Sequence, residues 1–324
     1  MQTPYSSPWW LRGRHLQTIY PATWMPLPDI TYRREAWQTP DEDLIELDWV
    51  DGDKLDGPKV DDAKQAPLVV LFHGLEGSAQ SHYAKRIMAA VNKQGWRGVV
   101  VHFRGCAGKP NLLPRSYHCG DSAEVDWILR RFRQTEHGEI YALGVSLGGN
   151  VLLKWLGEQK SQASTVINKA AAVSTSLNLP ITGRVLAQGF NRFYSRIFLN
   201  TLQPKALKLV QQHKLDYDPA GIRQADNLWD YDNRFTAPLH GFKDADDYWH
   251  QSNCRPYLKH IQIPTLLINA RNDPFLPEEN LPSPQEVSSH VTCDFPQHGG
   301  HAGFAIKNGD DWLSKRLLCF FIHQ

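Results

Sequence analysis

Short apolar runs alternate along this chain with more polar stretches in which apolar residues recur at helical spacing. The apolar runs occupy residues 44–50, 68–72, 98–103, 139–143, 170–174, 264–270 and 290–295. Runs of about four to eight apolar residues bounded by turn residues are typical of buried strands. Strands that alternate with helices predict an α/β fold, with a mostly parallel, doubly wound sheet and helices on both of its faces. Residues 51–66, which are charged and contain glycine and proline, are expected to form an exposed connection.

The strand predicted at residues 139–143 leads into a G-x-S-x-G turn at residues 144–148, and apolar residues then follow at helical spacing. A strand, a tight turn of this type and a helix form a nucleophile elbow, which holds a serine beside a helix N-terminus. The glycines matter because a side chain at either position would clash with the strand or the helix. Ser146 is therefore the candidate nucleophile. The alternative is an ordinary strand-to-helix turn with a serine near the helix start.

A nucleophilic serine needs a general base, and the base needs an acid that orients it. With this elbow the chain order is serine, acid, histidine. Asp273 follows the strand predicted at residues 264–270, and His301 lies among small residues in a loop before the last helix, so we expect them to be acid and base. His298 is the alternative base. Asp294 is a second-choice acid, although it lies too close to the histidine loop to occupy a separate strand end.

Acyl transfer also needs an oxyanion hole, formed by two backbone N–H groups aimed at the charge that develops on the carbonyl oxygen. One N–H is expected from Leu147, the residue after the nucleophile. The second is expected from Leu75, in the loop that follows the strand at residues 68–72. We expect His73 to hold this loop by a hydrogen bond rather than to take part in the chemistry, and His102, at the end of the next strand, to be structural as well.

Several motifs, spread over nearly the whole chain, occur together in one known family. They are H-L-Q-T-I at residues 15–19, H-G-L-E-G-S at 73–78, S-H-Y at 81–83, R-G-C-A-G at 104–108, P-R-S-Y-H-C-G-D at 114–121, the elbow, R-N-D-P-F at 271–275 and G-H-A-G-F at 300–304. In this order they resemble the YheT-type esterases, α/β-hydrolases related to plant embryogenesis-associated proteins and animal hydrolase-domain, lipase-like proteins. The resemblance implies a Ser-Asp-His triad, which falls on Ser146, Asp273 and His301. It leaves the substrate open between simple esters and phospholipids.

The resemblance also suggests a cap. α/β-hydrolases commonly insert helices over the active site, and residues 177–260 carry helical spacing and scattered aromatic residues without a clear strand. An apolar helical stripe is predicted by residues spaced four, three and four apart: Leu186, Phe190, Phe193 and Ile197. We expect one domain over residues 1–324 with the cap at 177–260, and part of the stripe lining an acyl pocket. Alternatively, the aromatic residues only attach the cap to the core.

Composition narrows the function classes. The 324 residues carry a net charge of +1, which gives no electrostatic case for nucleic-acid binding. The five cysteines are scattered and form no C-x-x-C pair, so they indicate neither a zinc site nor a disulfide framework. Without a signal-peptide pattern, this cysteine usage favours a reduced, cytoplasmic location. We expect no cofactor and no metal.

The membrane signals are weak. No apolar run is long enough to span a bilayer. Residues 8–12, P-W-W-L-R, resemble an interfacial aromatic segment, but one short segment is not a membrane signature, so we expect it to pack against the domain.

The candidate residues together favour a serine hydrolase. We expect it to cleave short- to medium-chain acyl esters or lipids, as small-molecule substrates, through an acyl-enzyme intermediate. The alternative is a non-catalytic hydrolase-fold scaffold that binds lipid or protein. The presence of all three triad residue types argues against the scaffold.

Overall fold

The computed structural model describes residues 4–52, 65–307 and 310–323. An eight-stranded sheet forms its centre, with strands β1 Arg33–Gln38, β2 Leu44–Val50, β3 Leu68–Phe72, β4 Arg97–His102, β5 Ile140–Val145, β6 Lys169–Val173, β7 Thr265–Ile268 and β8 Val291–Asp294. They lie side by side in the order β1-β2-β4-β3-β5-β6-β7-β8. Strand β2 pairs with both β1 and β4 in antiparallel fashion, and the other pairs are parallel. The predicted α/β fold with a mostly parallel sheet is confirmed.

Helices cover both faces of this sheet. Their bounds are α1 Arg14–Thr23, α2 His82–Lys93, α3 Ser122–Thr135, α4 Leu147–Gln159, α5 Leu179–Leu186, α6 Asn191–His213, α7 Pro219–Gln224, α8 Leu228–Tyr231, α9 Ala237–Leu239, α10 Ala245–Ser252 and α11 Trp312–His323. A π-helical turn, Asp232–Thr236, joins α8 to α9. The apolar sides of α3 and α4 pack on one face, and those of α2 and α11 on the other. The central strands β3, β4 and β5 are consequently buried along their whole length.

Each apolar run that predicted a strand overlaps a strand of the structure. The ends of the strands differ from the ends of the runs by two residues at most. The edge strand β1 was missed because Trp37 is its only fully buried side chain, so it carries no apolar run. Helix α3 begins with an N-cap, in which the Asp121 side chain accepts a hydrogen bond from the Glu124 N–H (3.4 Å). Most of the connection expected at residues 51–66 lies outside the described residues.

The topology brings the candidate site residues to one edge of the sheet. Parallel strands end at the same edge, and ligands of open α/β sheets bind beyond their carboxyl ends. The loop 73–78 follows β3, Ser146 follows β5, Asp273 follows β7 and the loop with His301 follows β8. Residues distant in sequence therefore meet above one end of the sheet.

The segment between β6 and β7 is helical, and within it the predicted single stripe is wrong. Leu186 ends α5 and is buried. Phe190, directly before α6, and Phe193 and Ile197, in its first turns, are about half exposed (54%, 53% and 47%). Gly189, with a φ of +51°, separates the two helices. The regular spacing therefore crosses a helix break, and its members lie in different environments.

The N-terminal segment packs against the domain only in part. Leu11 is buried, but Trp9 and Trp10 are 79% and 48% exposed, so the expectation that this segment packs inward is wrong for both tryptophans. Across the described ranges, we find no helix with the length and apolar character needed to cross a membrane.

Candidate active site

Ser146 occupies a sharp turn between β5 and α4. Its φ is +55°, a region that non-glycine residues rarely adopt, and its N–H donates to the Val173 carbonyl (2.9 Å). The turn tolerates no side chain on either glycine, because a Cβ on Gly144 would overlap the backbone of α4 and one on Gly148 would overlap the Phe72 carbonyl. The glycines thus permit the close approach of strand and helix that sets the Ser146 side chain at the sheet edge.

The structure brings three predicted side chains into one hydrogen-bonded row. His301 Nε2 lies 3.1 Å from Ser146 Oγ, and His301 Nδ1 lies 2.8 Å from Asp273 Oδ2. Asp273 is 1% exposed, and its other carboxylate oxygen accepts a hydrogen bond from the Phe275 N–H (2.8 Å). The Phe275 ring also packs on the imidazole, with centroids 4.2 Å apart. The acid and the histidine are therefore both fixed in position.

The two alternatives from the sequence lie elsewhere. His298 is exposed, and its Nδ1 is 3.5 Å from the Asn272 side-chain amide. Asp294 lies on β8, where its carboxylate accepts a hydrogen bond from Arg316 Nε (2.8 Å). Neither side chain contacts Ser146 or His301 through a hydrogen bond among the residues described.

Leu75 and Leu147, the two expected oxyanion donors, both line the cavity beside Ser146. The backbone N–H of neither residue donates a hydrogen bond to any residue in the described ranges. The N–H groups on either side of Leu75 are engaged, since Gly74 donates to the Tyr83 hydroxyl and Glu76 to the Tyr117 hydroxyl (both 2.9 Å). The loop is thus held at both sides while the Leu75 N–H stays available.

Two other histidines near the site are structural. His73 Nδ1 lies 2.7 Å from the Gly74 carbonyl, and its Nε2 accepts a hydrogen bond from the Phe103 N–H (3.1 Å). His102 Nε2 lies 2.9 Å from the Asp48 carboxylate. Burial lowers the pKa of His73 to about 3, so this ring is neutral at neutral pH. His73 thus holds the loop 73–78, as the sequence indicates.

Helix α1 supplies contacts to the site that residue-by-residue reasoning missed. Gln17 Oε1 accepts hydrogen bonds from the Gly299 N–H (2.9 Å) and from the Asn272 side chain (2.8 Å). Thr18 Oγ1 accepts one from the His301 N–H (3.0 Å). Both side chains are buried, and they join the loops that carry Asp273 and His301. Both residues belong to the H-L-Q-T-I motif at residues 15–19, which is the signal that the sequence offers for this role.

A cavity of about 370 Å³ opens beside Ser146 and His301. Its apolar wall comes mainly from the helical segment, and α6 contributes residues spaced four, four and three apart: Phe198, Leu202, Ala206 and Leu209. Leu186 also lines the cavity, whereas Phe190 and Phe193 do not. Helix α6 further contacts the loop 73–78, because Lys205 Nζ lies 2.7 Å from the Glu76 carboxylate. Within the described part of the chain, no group of His, Cys, Asp or Glu side chains could hold a metal ion.

Comparison with known proteins agrees with this architecture. A family model for the α/β-hydrolase fold matches residues 67–307. The chain is 34% identical to the esterase-like protein YheT of Escherichia coli (strain K12), over 94% of this chain and 88% of YheT. It is 29% identical to the phospholipase ABHD3 of Homo sapiens, over 94% of this chain and 74% of that protein. It is 28% identical to the embryogenesis-associated protein EMB8 of Picea glauca, over 95% of this chain and 68% of that protein.

Solved structures show the same fold at low sequence identity. The esterase Pf2001 of Pyrococcus furiosus aligns with a TM-score of 0.55 and 17% identity, over 91% of this chain and 96% of that one. Est1E of Butyrivibrio proteoclasticus, solved with ferulic acid bound, aligns with a TM-score of 0.55 and 13% identity, over 91% of this chain and 99% of that one. The fold and the match to the family model together show that this chain is an α/β-hydrolase. More narrowly, the chain belongs to the YheT-type family of esterase- and lipase-like enzymes, which confirms the resemblance found in the sequence.

Proposed function

We propose that this enzyme hydrolyses carboxylic esters with acyl chains of short to medium length, with Ser146 as nucleophile, His301 as general base and Asp273 as the acid that orients the histidine. The observation that carries the proposal is the row of contacts from Asp273 through His301 to Ser146, at 2.8 and 3.1 Å. These distances suit proton transfer from a serine to an imidazole. The buried Asp273 carboxylate, in contact with the imidazole, would stabilise the imidazolium that forms on His301 during the reaction.

The reaction would run in two halves. Ser146 Oγ attacks the ester carbonyl while His301 Nε2 takes its proton, and the N–H groups of Leu75 and Leu147 stabilise the oxyanion. His301 then gives the proton to the leaving alkoxide, which departs as the alcohol and leaves an acyl group on Ser146. In the second half a water molecule gives its proton to His301 and attacks the acyl group. Collapse of that intermediate releases the carboxylic acid and returns the proton to Ser146.

We propose that the helical segment, residues 177–260 of a single domain over residues 1–324, acts as a cap and that its wall binds the acyl chain. The supporting observation is the apolar stripe of α6 that lines the cavity next to Ser146. Each methylene buried against such a wall contributes about 0.8 kcal/mol, so the length of the wall would set the preferred chain length. The preference would then depend on Leu202 and Ala206, not on the exposed Phe190 and Phe193.

Filling the cavity tests this assignment. Ala206 is 2% exposed and lines the cavity, so Ala206→Leu places extra carbon atoms where the acyl chain would lie. We expect kcat/KM for a p-nitrophenyl decanoate to fall by about tenfold relative to the acetate, because room for about two methylenes is lost. The measurement is kcat/KM on a series of p-nitrophenyl esters of increasing chain length.

Thr201→Leu is the matched control, because Thr201 lies on the same helix but is exposed and does not line the cavity. It should leave the chain-length profile unchanged. Thermal unfolding of both variants separates a filled cavity from a strained core. An unchanged ratio of decanoate to acetate in a folded Ala206→Leu protein would remove the acyl-binding role of this wall.

A second prediction concerns the hydrogen bond from the His301 N–H to Thr18. Thr18→Val removes the accepting hydroxyl at nearly constant shape, whereas Thr18→Ser keeps it. We expect Thr18→Val to lower kcat by about tenfold with little change in KM, because the His301 N–H loses its partner and the imidazole shifts. Thr18→Ser should stay close to wild type. Equal losses in kcat for the two variants would show that packing of the methyl group matters, and not the hydroxyl.

A further inference from the structure

Large apolar side chains are exposed together on the surface formed by residues 9–24 and 190–197. We call this surface the aromatic patch, and its members are Trp9, Trp10, Leu16, Trp24, Phe190, Phe193 and Ile197. Trp9 and Trp24 are 79% and 66% exposed, and the two phenylalanines are more than half exposed. Exposed apolar side chains scattered singly are ordinary, but a concentration of them in two neighbouring segments marks an interaction site.

Ring contacts connect the two segments. The Tyr20 ring lies against Trp10 and Trp24, with centroids 4.9 and 6.4 Å apart. On the same helix, His15 packs against Phe190 at 4.4 Å, and His15 Nδ1 lies 3.2 Å from the Tyr194 hydroxyl. Helix α1 therefore joins the tryptophans of the N-terminal segment to the phenylalanines of α6 in one surface.

The two segments that form the aromatic patch carry charge of one sign. Residues 4–28 and 187–215 contain no aspartate or glutamate, yet they carry several arginine and lysine residues. Arg12, Arg14 and Arg196 form no ion pair within the described ranges of the chain, and Arg192 has only a long, exposed contact with Asp226 (3.5 Å). The surface thus combines tryptophan and phenylalanine with unneutralised positive charge.

We propose that the aromatic patch docks onto the surface of an anionic phospholipid bilayer. Tryptophan and phenylalanine enter the headgroup region of a bilayer, and arginine at the rim is attracted to anionic lipid. A second copy of the chain is the less suitable occupant, because a symmetric contact would bring the same unpaired arginines together. The lipid surface satisfies both the apolar and the charged features of the patch.

The position of the patch connects docking to catalysis, a step that rests on the proposed function. A row of packed rings runs from Phe190 through Tyr194 and Phe275 to His301, with centroids 5.9, 4.7 and 4.2 Å apart. The patch is therefore separated from the base by only two side chains. Docking would bring the active site close to the bilayer surface, which favours ester substrates that partition into lipid over those that stay in water.

The test is co-sedimentation with vesicles of phosphatidylcholine, alone or mixed with phosphatidylglycerol, using the full chain. We expect wild type to bind the mixed vesicles, more weakly at high salt, and to bind phosphatidylcholine vesicles less. The triple variant Trp9→Ala, Trp24→Ala, Phe193→Ala should lose at least about tenfold in vesicle partitioning. A matched variant, Leu112→Ala with Ile322→Ala, removes exposed apolar side chains elsewhere and should bind like wild type.

Two further measurements keep the test independent of catalysis. The triple variant should hydrolyse a water-soluble acetate ester at the wild-type rate, and a Ser146→Ala protein should bind vesicles like wild type. Absence of binding to mixed vesicles by wild type, or equal binding by the triple variant, would overturn the proposal even if esters are cleaved. A concentration-dependent dimer in sedimentation velocity that the triple variant loses would also overturn it, because the patch would then be a protein interface.

Discussion

His301→Ala is expected to lower kcat for ester hydrolysis by about ten-thousandfold, whereas His298→Ala is expected to stay within about threefold of wild type. The reason is geometric. His301 Nε2 lies 3.1 Å from Ser146 Oγ, and its other ring nitrogen contacts Asp273. His298 is exposed, and the hydrogen-bond contact found for its ring is with Asn272.

Both histidine variants should be assayed side by side on one ester at saturating concentration. Far-ultraviolet circular dichroism and thermal unfolding report whether each variant is folded. A large loss in His298→Ala together with near-normal turnover in His301→Ala would transfer the role of base to His298. It would also contradict the assignment of Asp273, whose carboxylate contacts His301 and forms no hydrogen bond with His298 among the described residues.

The sequence alone predicts those parts of the fold in which a strand or a turn is determined by its own residues. The runs that became β3 and β5 are buried on both faces of the sheet, so they show as continuous apolar segments. The elbow was visible because Gly144 and Gly148 must both lack a side chain there. Asp273 and His301 could be located because parallel strands end at one edge, which fixes where their loops meet.

Other features depend on tertiary contacts that no local pattern encodes. Spacing alone could not show that Gly189 would divide the predicted stripe, nor which face of α6 would line the cavity. Thr18 contacts the backbone of His301 across almost the entire length of the chain. The exposure of Trp9 likewise contradicts the usual expectation that a large apolar side chain is buried, which is why it marks a surface worth testing.

The largest effect is expected at Ser146, the proposed nucleophile. Ser146→Ala should lower kcat by about four to six orders of magnitude while the protein stays folded, because the variant removes the attacking oxygen and changes nothing else at the turn. Alanine keeps a Cβ at this position, so the strained backbone is no less tolerable than with serine. Turnover close to wild type in the purified variant, on an ester that the parent cleaves, would contradict the assignment.

Covalent labelling tests the same claim most directly. A fluorophosphonate probe is attacked by an activated serine and stays bound, so tryptic digestion and mass spectrometry identify the modified residue. We predict one adduct, on the peptide that contains Ser146, with no labelling of Ser146→Ala and much slower labelling of His301→Ala. An adduct on another residue of the active protein, or esterase activity that survives complete labelling of Ser146, would contradict the account.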